Sequence, residues 1–94
     1  MRIAEVIGNV TLSHVHPSLN GMRWVIGVPC SLQALRQDGV PDGEDVVIHD
    51  NLGAGVGVRI GFSEGGEAAA PLHPEKKPVD AYCACILDTV VVND

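Results

Sequence analysis

Positive charge is scarce in this chain of 94 residues: six Lys and Arg stand against twelve Asp and Glu, for a net charge of −6. Such a balance repels a phosphate backbone, so sequence-independent binding to nucleic acid is not expected. Aromatics are scarcer still. Trp24, Phe62 and Tyr82 are the only three, which leaves few rings on which bases could stack. No apolar run approaches the roughly 20 residues that span a bilayer. The first residues have neither the apolar stretch nor the small-residue cleavage site of a secretory signal. The expectation is a cytoplasmic protein with no membrane partner. Cysteine is sparse and unpaired: Cys30, Cys83 and Cys85 make an odd number without a C-x-x-C motif, which fits a reducing compartment better than a disulfide framework. In "AYCACILD" a strand would point Cys83 and Cys85 to one face. With His14, His16, His49 and His73 scattered, no metal site is expected, and the thiols read as small core residues.

What the chain does have is small and branched apolar side chains, 46% hydrophobic residues supplied mostly by Val, Ile, Leu and Ala. A chain of this size is expected to form one domain over residues 1–94, burying only about 60–65% of the surface its unfolded form exposes. Two readings stay open: a modest Val-rich core, or apolar surface buried against further copies of the chain.

The pattern along the chain is that of short strands. "RIAEVIGNVTL", residues 2–12, is rich in β-formers, with Gly8 marking a bend or bulge. "HPSLNG" supplies turn residues before "MRWVIGVP", residues 22–29, so residues 2–29 read as an antiparallel hairpin with a short loop. "SLQALRQDG", residues 31–39, has Ser31 as a possible helix cap and is read as a loop. "EDVVIHD", residues 44–50, is a third strand with Val46 and Ile48 on one face and Val47 and His49 on the other. His49 reads as a surface residue of that strand rather than a ligand. "VGVRIGF", residues 56–62, is a fourth, with Val56, Val58, Ile60 and Phe62 on one face. "EGGEAAAP" could hold a short helix, "HPEKKP" is an exposed connection, and "VDAYCACILDTVVV", residues 79–92, is a long final strand. Five strands with at most one or two short helices predict an all-β fold, a small closed antiparallel barrel whose closure removes its exposed edges.

Catalytic arrangements do not emerge. No Ser, Cys or Thr stands in a recognisable spacing to a histidine base. Asp80 and Asp88 flank the last strand, where acids are normally solvated or capping. Neither a catalytic residue nor a cofactor site is assigned, and the chain reads as a non-enzyme.

The segment that asks for an explanation is "HDNLGAGVGVRIGFSEGG", residues 49–66, which holds six of the eleven glycines. It has no Lys-Ser or Lys-Thr after a glycine, as a Walker loop needs, and it misses the third glycine of a dinucleotide fingerprint. It also leads into a strand, whereas phosphate cradles lead into a helix N-terminus. Turn geometry with positive φ and close approach of backbone remain, and they are compatible.

Three stretches together resemble a known family. They are D-x-x-G-A-G-x-G at Asp50, Gly53, Ala54, Gly55 and Gly57; Pro78, Val79, Asp80, Ala81, Ile86, Leu87 and Asp88 around the last strand; and Pro17, Ser18, Leu19, Gly21 and Arg23 in the first hairpin. With "RIAEVIGNV" they resemble the EutN/CcmL family, the pentameric vertex proteins of bacterial microcompartment shells, over nearly the whole chain. The resemblance implies a barrel of OB-like topology, a homopentamer at the vertices of a shell tiled by hexameric shell proteins, and a cytoplasmic location in that shell. It implies that Asn51, Leu52, Gly53, Ala54 and Gly55 lie near the fivefold axis, where they would surround a narrow pore. The chain departs from the family at Val58, Ala70 and Val15, where members often carry Glu, Arg and a basic residue. The competing class is an OB-type barrel that binds single-stranded nucleic acid or a small ligand, for which Arg23 beside Trp24 is the only suggestive pair.

Overall fold

The structure is a computed structural model that describes residues 1–11, 17–65 and 79–92. Five strands close into a barrel in the order β1-β2-β3-β5-β4. They are β1 (Arg2–Val10), β2 (Trp24–Cys30), β3 (Val46–His49), β4 (Arg59–Glu64) and β5 (Ala81–Leu87). A 3-10 turn covers Pro17–Leu19, and a short helix, α1, covers Leu32–Arg36. The all-β barrel expected from the strand pattern is thus the observed fold. One junction departs from the antiparallel expectation: β3 and β5 run parallel, pairing at His49 and Tyr82. A ring with an odd number of strands cannot alternate direction all the way round, so closure demands a parallel seam.

Alternation sorts the side chains. Ala4, Val6, Val25, Ile48, Ile60, Phe62, Ala81 and Cys83 point inward and are almost wholly buried, joined by Ala54 from the glycine segment. Each large one, such as Phe62 or Ile48, contributes about 1.5–3 kcal/mol by leaving water. The bulge expected at Gly8 is present, since the β1 to β2 register jumps from Val6↔Gly27 to Gly8↔Ile26. A second shift separates Phe62↔Cys83 from Gly61↔Cys85. It corrects the expectation that both thiols share a face. Cys83 lies in the core beside Phe62, while Cys85 puts its Sγ over Gly61 beside Met1, because Ala84 is the extra residue between the two pairs.

Several boundaries also differ from the sequence reading. Residues 31–39, read as a loop, contain α1. Ser31 is its N-cap and accepts from Ala34 N at 3.1 Å, while Asp42 accepts from Ser31 N at 2.8 Å. The first hairpin has a long connection between Val10 and Trp24 rather than a short loop. The fourth strand starts at Arg59, three residues later than expected, because the glycines before it form a turn. The final strand stops at Leu87, which pairs with that same Arg59, so no ladder remains for the residues that follow. The segments read as a short Ala-rich helix and as "HPEKKP" lie mostly or wholly outside the described residues.

On the outside of the barrel, Trp24, His49 and Tyr82 form a row across β2, β3 and β5, with ring centroids 5.5 and 5.4 Å apart. His49 lies on the outer face as its alternation requires. It is buried nonetheless, covered by its two aromatic neighbours. Trp24 and Val79 anchor a second small apolar cluster there with Val10, Leu19 and Met22.

Candidate functional site, the glycine loop at the barrel end

The loop from Asp50 to Val58 leaves β3 and returns to the barrel wall before β4. Its return is hydrogen-bonded to β1: Gly57 N donates to Val6 O at 2.8 Å and Val6 N donates to Val58 O at 2.9 Å. Val58 N also donates to Gly55 O at 3.2 Å, closing a four-residue turn. Gly57 is its third residue and has φ +89°, the position at which a type II turn needs glycine. Gly53 has φ +83° and bends the first half of the loop.

Gly55 is different. Its φ lies outside the left-handed range, and apart from its chain neighbours no atom among the described residues stands within 4 Å of where a Cβ would be. Neither conformation nor space inside this chain asks for glycine there. On either side, Leu52 and Val56 expose apolar side chains at 50% and 66%.

The loop is held from beneath by a buried carboxylate. Asp50 is 1% exposed. Its Oδ1 accepts from Leu52 N at 2.9 Å and its Oδ2 from Ala54 N at 2.7 Å. Arg23, just before β2, brings Nε to 3.4 Å from Asp50 Oδ2 and donates from an Nη to Ala54 O at 2.6 Å. The Arg23 carbonyl in turn accepts from Asp50 N at 3.0 Å and lies 3.1 Å from His49 Nδ1. Burial of the Cys83 thiol, with the neighbouring Asp50 carboxylate as a second cause, pushes its pKa up to about 12, so this core thiol stays protonated. A buried charge is tolerated only when paired and hydrogen-bonded, and Asp50 meets both conditions.

Of the residues expected at an axis, Asn51, Leu52, Gly53 and Gly55 are exposed on the loop, whereas the Ala54 side chain is turned into the core. The sequence reading found the loop but not its clamp. Asp50 and Arg23 had entered only as motif positions, because the contact joins residues 27 apart and no local pattern announces it. Arg23 beside Trp24 is the one suggestive pair for the nucleic-acid alternative, against a core or interface place for Trp24. In the structure its guanidinium is committed to the loop and Trp24 is buried against His49.

The family model described as "Ethanolamine utilisation protein EutN/carboxysome" matches residues 1–88. Among curated proteins, the carboxysome shell vertex protein CcmL of Gloeobacter violaceus is 35% identical over 94 residues, covering 100% of this chain and 89% of its own length. The microcompartment shell vertex protein EutN of Escherichia coli is 30% identical over 91 residues, covering 97% of this chain and 90% of its own. Solved structures agree. Gloeobacter violaceus CcmL superposes with a TM-score of 0.85 at 33% identity, covering 99% of this chain and 91% of its own. The GrpN pentameric microcompartment shell protein from Rhodospirillum rubrum superposes with 0.82 at 28% identity, covering 99% of this chain and 100% of its own. Matched along most of its length by both the family model and its relatives, the chain belongs to the EutN/CcmL family.

Proposed function

We propose that this protein is a structural shell component that forms pentamers and caps the vertices of a bacterial microcompartment in the cytoplasm. It performs no catalysis there. The observation inside this chain that carries the reading is Gly55: a glycine without a positive φ and with open space around it is explained by what approaches from outside. Five copies meeting at an axis supply that approach, since any side chain at this position would be present once per subunit. The exposed Leu52 and Val56 beside it are apolar surface that an assembly would cover. In this reading Asn51, Leu52, Gly53 and Gly55 face the fivefold axis, Ala54 anchors the loop from within, and hexameric shell proteins surround the pentamer. A single-stranded nucleic-acid barrel is disfavoured because all three aromatics are engaged: Phe62 is in the core, and Trp24 and Tyr82 pack on His49.

Gly55→Trp tests the reading. A folded subunit by circular dichroism that no longer forms the wild-type ring by light scattering is the expected result. A Gly55→Trp protein with unchanged assembly and melting places the loop away from any axis and contradicts it.

A further inference from the structure

A loop with glycines at 53, 55 and 57 has much backbone freedom to lose. If that freedom were lost only when subunits meet, assembly would bear the cost of ordering every copy. The contacts beneath the loop remove it beforehand. Asp50 takes one loop amide on each carboxylate oxygen. Arg23 reaches the same loop at two points, the Asp50 carboxylate and the Ala54 carbonyl, and its own carbonyl holds Asp50 N. The side chains of this pair thus act on the loop, and Asp50 also acts on the core thiol of Cys83. Barrel stability alone would not require a buried carboxylate, since well-packed apolar residues commonly serve as well or better at such a position.

We propose that Asp50 and Arg23 are positioning residues that pre-order loop 50–57 for subunit contact, so that the ring closes between surfaces already in their assembled shape. This rests on the reading of the loop as a subunit contact. Arg23 suits the task because its planar fork bridges two acceptors at once, which a lysine ammonium on its flexible stem cannot reproduce. Its side chain is about half exposed, so exchanging it leaves the core intact.

The test is Arg23→Lys, which keeps the charge, with Asp50→Asn as a second variant, each read by amide hydrogen exchange and by a dilution series in native mass spectrometry. In Arg23→Lys the Leu52 and Ala54 amides should exchange about tenfold faster, while the β1 to β2 ladder is unchanged. The concentration at which rings half-dissociate should rise about tenfold. Asp50→Asn should move both readouts in the same direction. Wild-type rings with variants that exchange faster at the loop but dissociate no more readily would overturn the assembly role. Unchanged loop exchange in both variants would overturn the clamp itself. Wild-type protein that stays monomeric would overturn the vertex reading and this role with it, a result distinguishable from the other two.

Discussion

Gly53 and Gly55 stand two residues apart and should answer differently to the same substitution. Gly53→Ala forces a Cβ onto backbone at φ +83° and should destabilise the fold by about 1–2 kcal/mol, the cost of a left-handed conformation for an L-residue. Gly55→Ala meets no atom and no such backbone, so its effect on subunit unfolding should stay within about 0.5 kcal/mol. Thermal unfolding of dilute samples separates them, and equal losses would contradict the division between turn glycines and a contact glycine. Cys83 makes a second prediction. Its folded pKa, about 12, is raised from an ordinary value of 9.0. The stabilisation from keeping it neutral is therefore fully present below pH 9 and is lost as pH rises through about 12. Unfolding free energy should fall across that window in the wild type, and fall less in Cys83→Ala. Identical alkaline profiles would show that the thiol ionises as freely in the barrel as in the unfolded chain.

At the level of elements, α1 depends on its cap. Ser31→Ala removes the acceptor for Ala34 N and should cost about 1 kcal/mol, as lost N-caps do. Asp42 binds both the Ser31 hydroxyl and its N–H, and these bonds hold its carboxyl below the ordinary aspartate range. That contribution is present above the ordinary aspartate pKa and is lost as pH falls through the lowered one. Nuclear magnetic resonance titration of Asp42 should show the lowered midpoint in the wild type and a higher one in Ser31→Ala, which loses the hydroxyl but keeps the residue 31 N–H bond. These elements also show what a sequence can and cannot disclose. Alternation identified the strands and the bulge at Gly8, because period and glycine placement are local signals. The helix at residues 32–36 was missed because five residues carry too little periodicity to outweigh the turn residues after them. The opposite facing of Cys83 and Cys85 was missed because the register shift is a property of the β4 pairing and leaves no mark between Cys83 and Cys85. The start of β4 was placed early because Val56 and Val58 continue an alternation that Gly57, at positive φ, interrupts. The loop was legible from its glycines. Its clamp was not, since Arg23 and Asp50 meet only once β2 and β3 are paired.

For the whole molecule, the acidic surface and the engaged aromatics predict no measurable affinity for single-stranded DNA or RNA at physiological salt. A micromolar complex that weakens with added salt, seen by fluorescence anisotropy, would restore the OB-type binding alternative. The barrel itself is small, and half-exposed Ile7, Val47, Leu52 and Val56 leave apolar surface that a lone subunit would present to water. In the proposed ring that surface and the bare backbone at Gly55 would meet a neighbouring subunit. The most direct measurement is the mass of the purified wild-type protein by native mass spectrometry at low micromolar concentration. A pentamer of about 50 kDa, five times the 9.9 kDa chain, is the expected species for a closed ring of identical subunits. A stable monomer, or a ring of any other number, would contradict the assignment of this chain to a shell vertex.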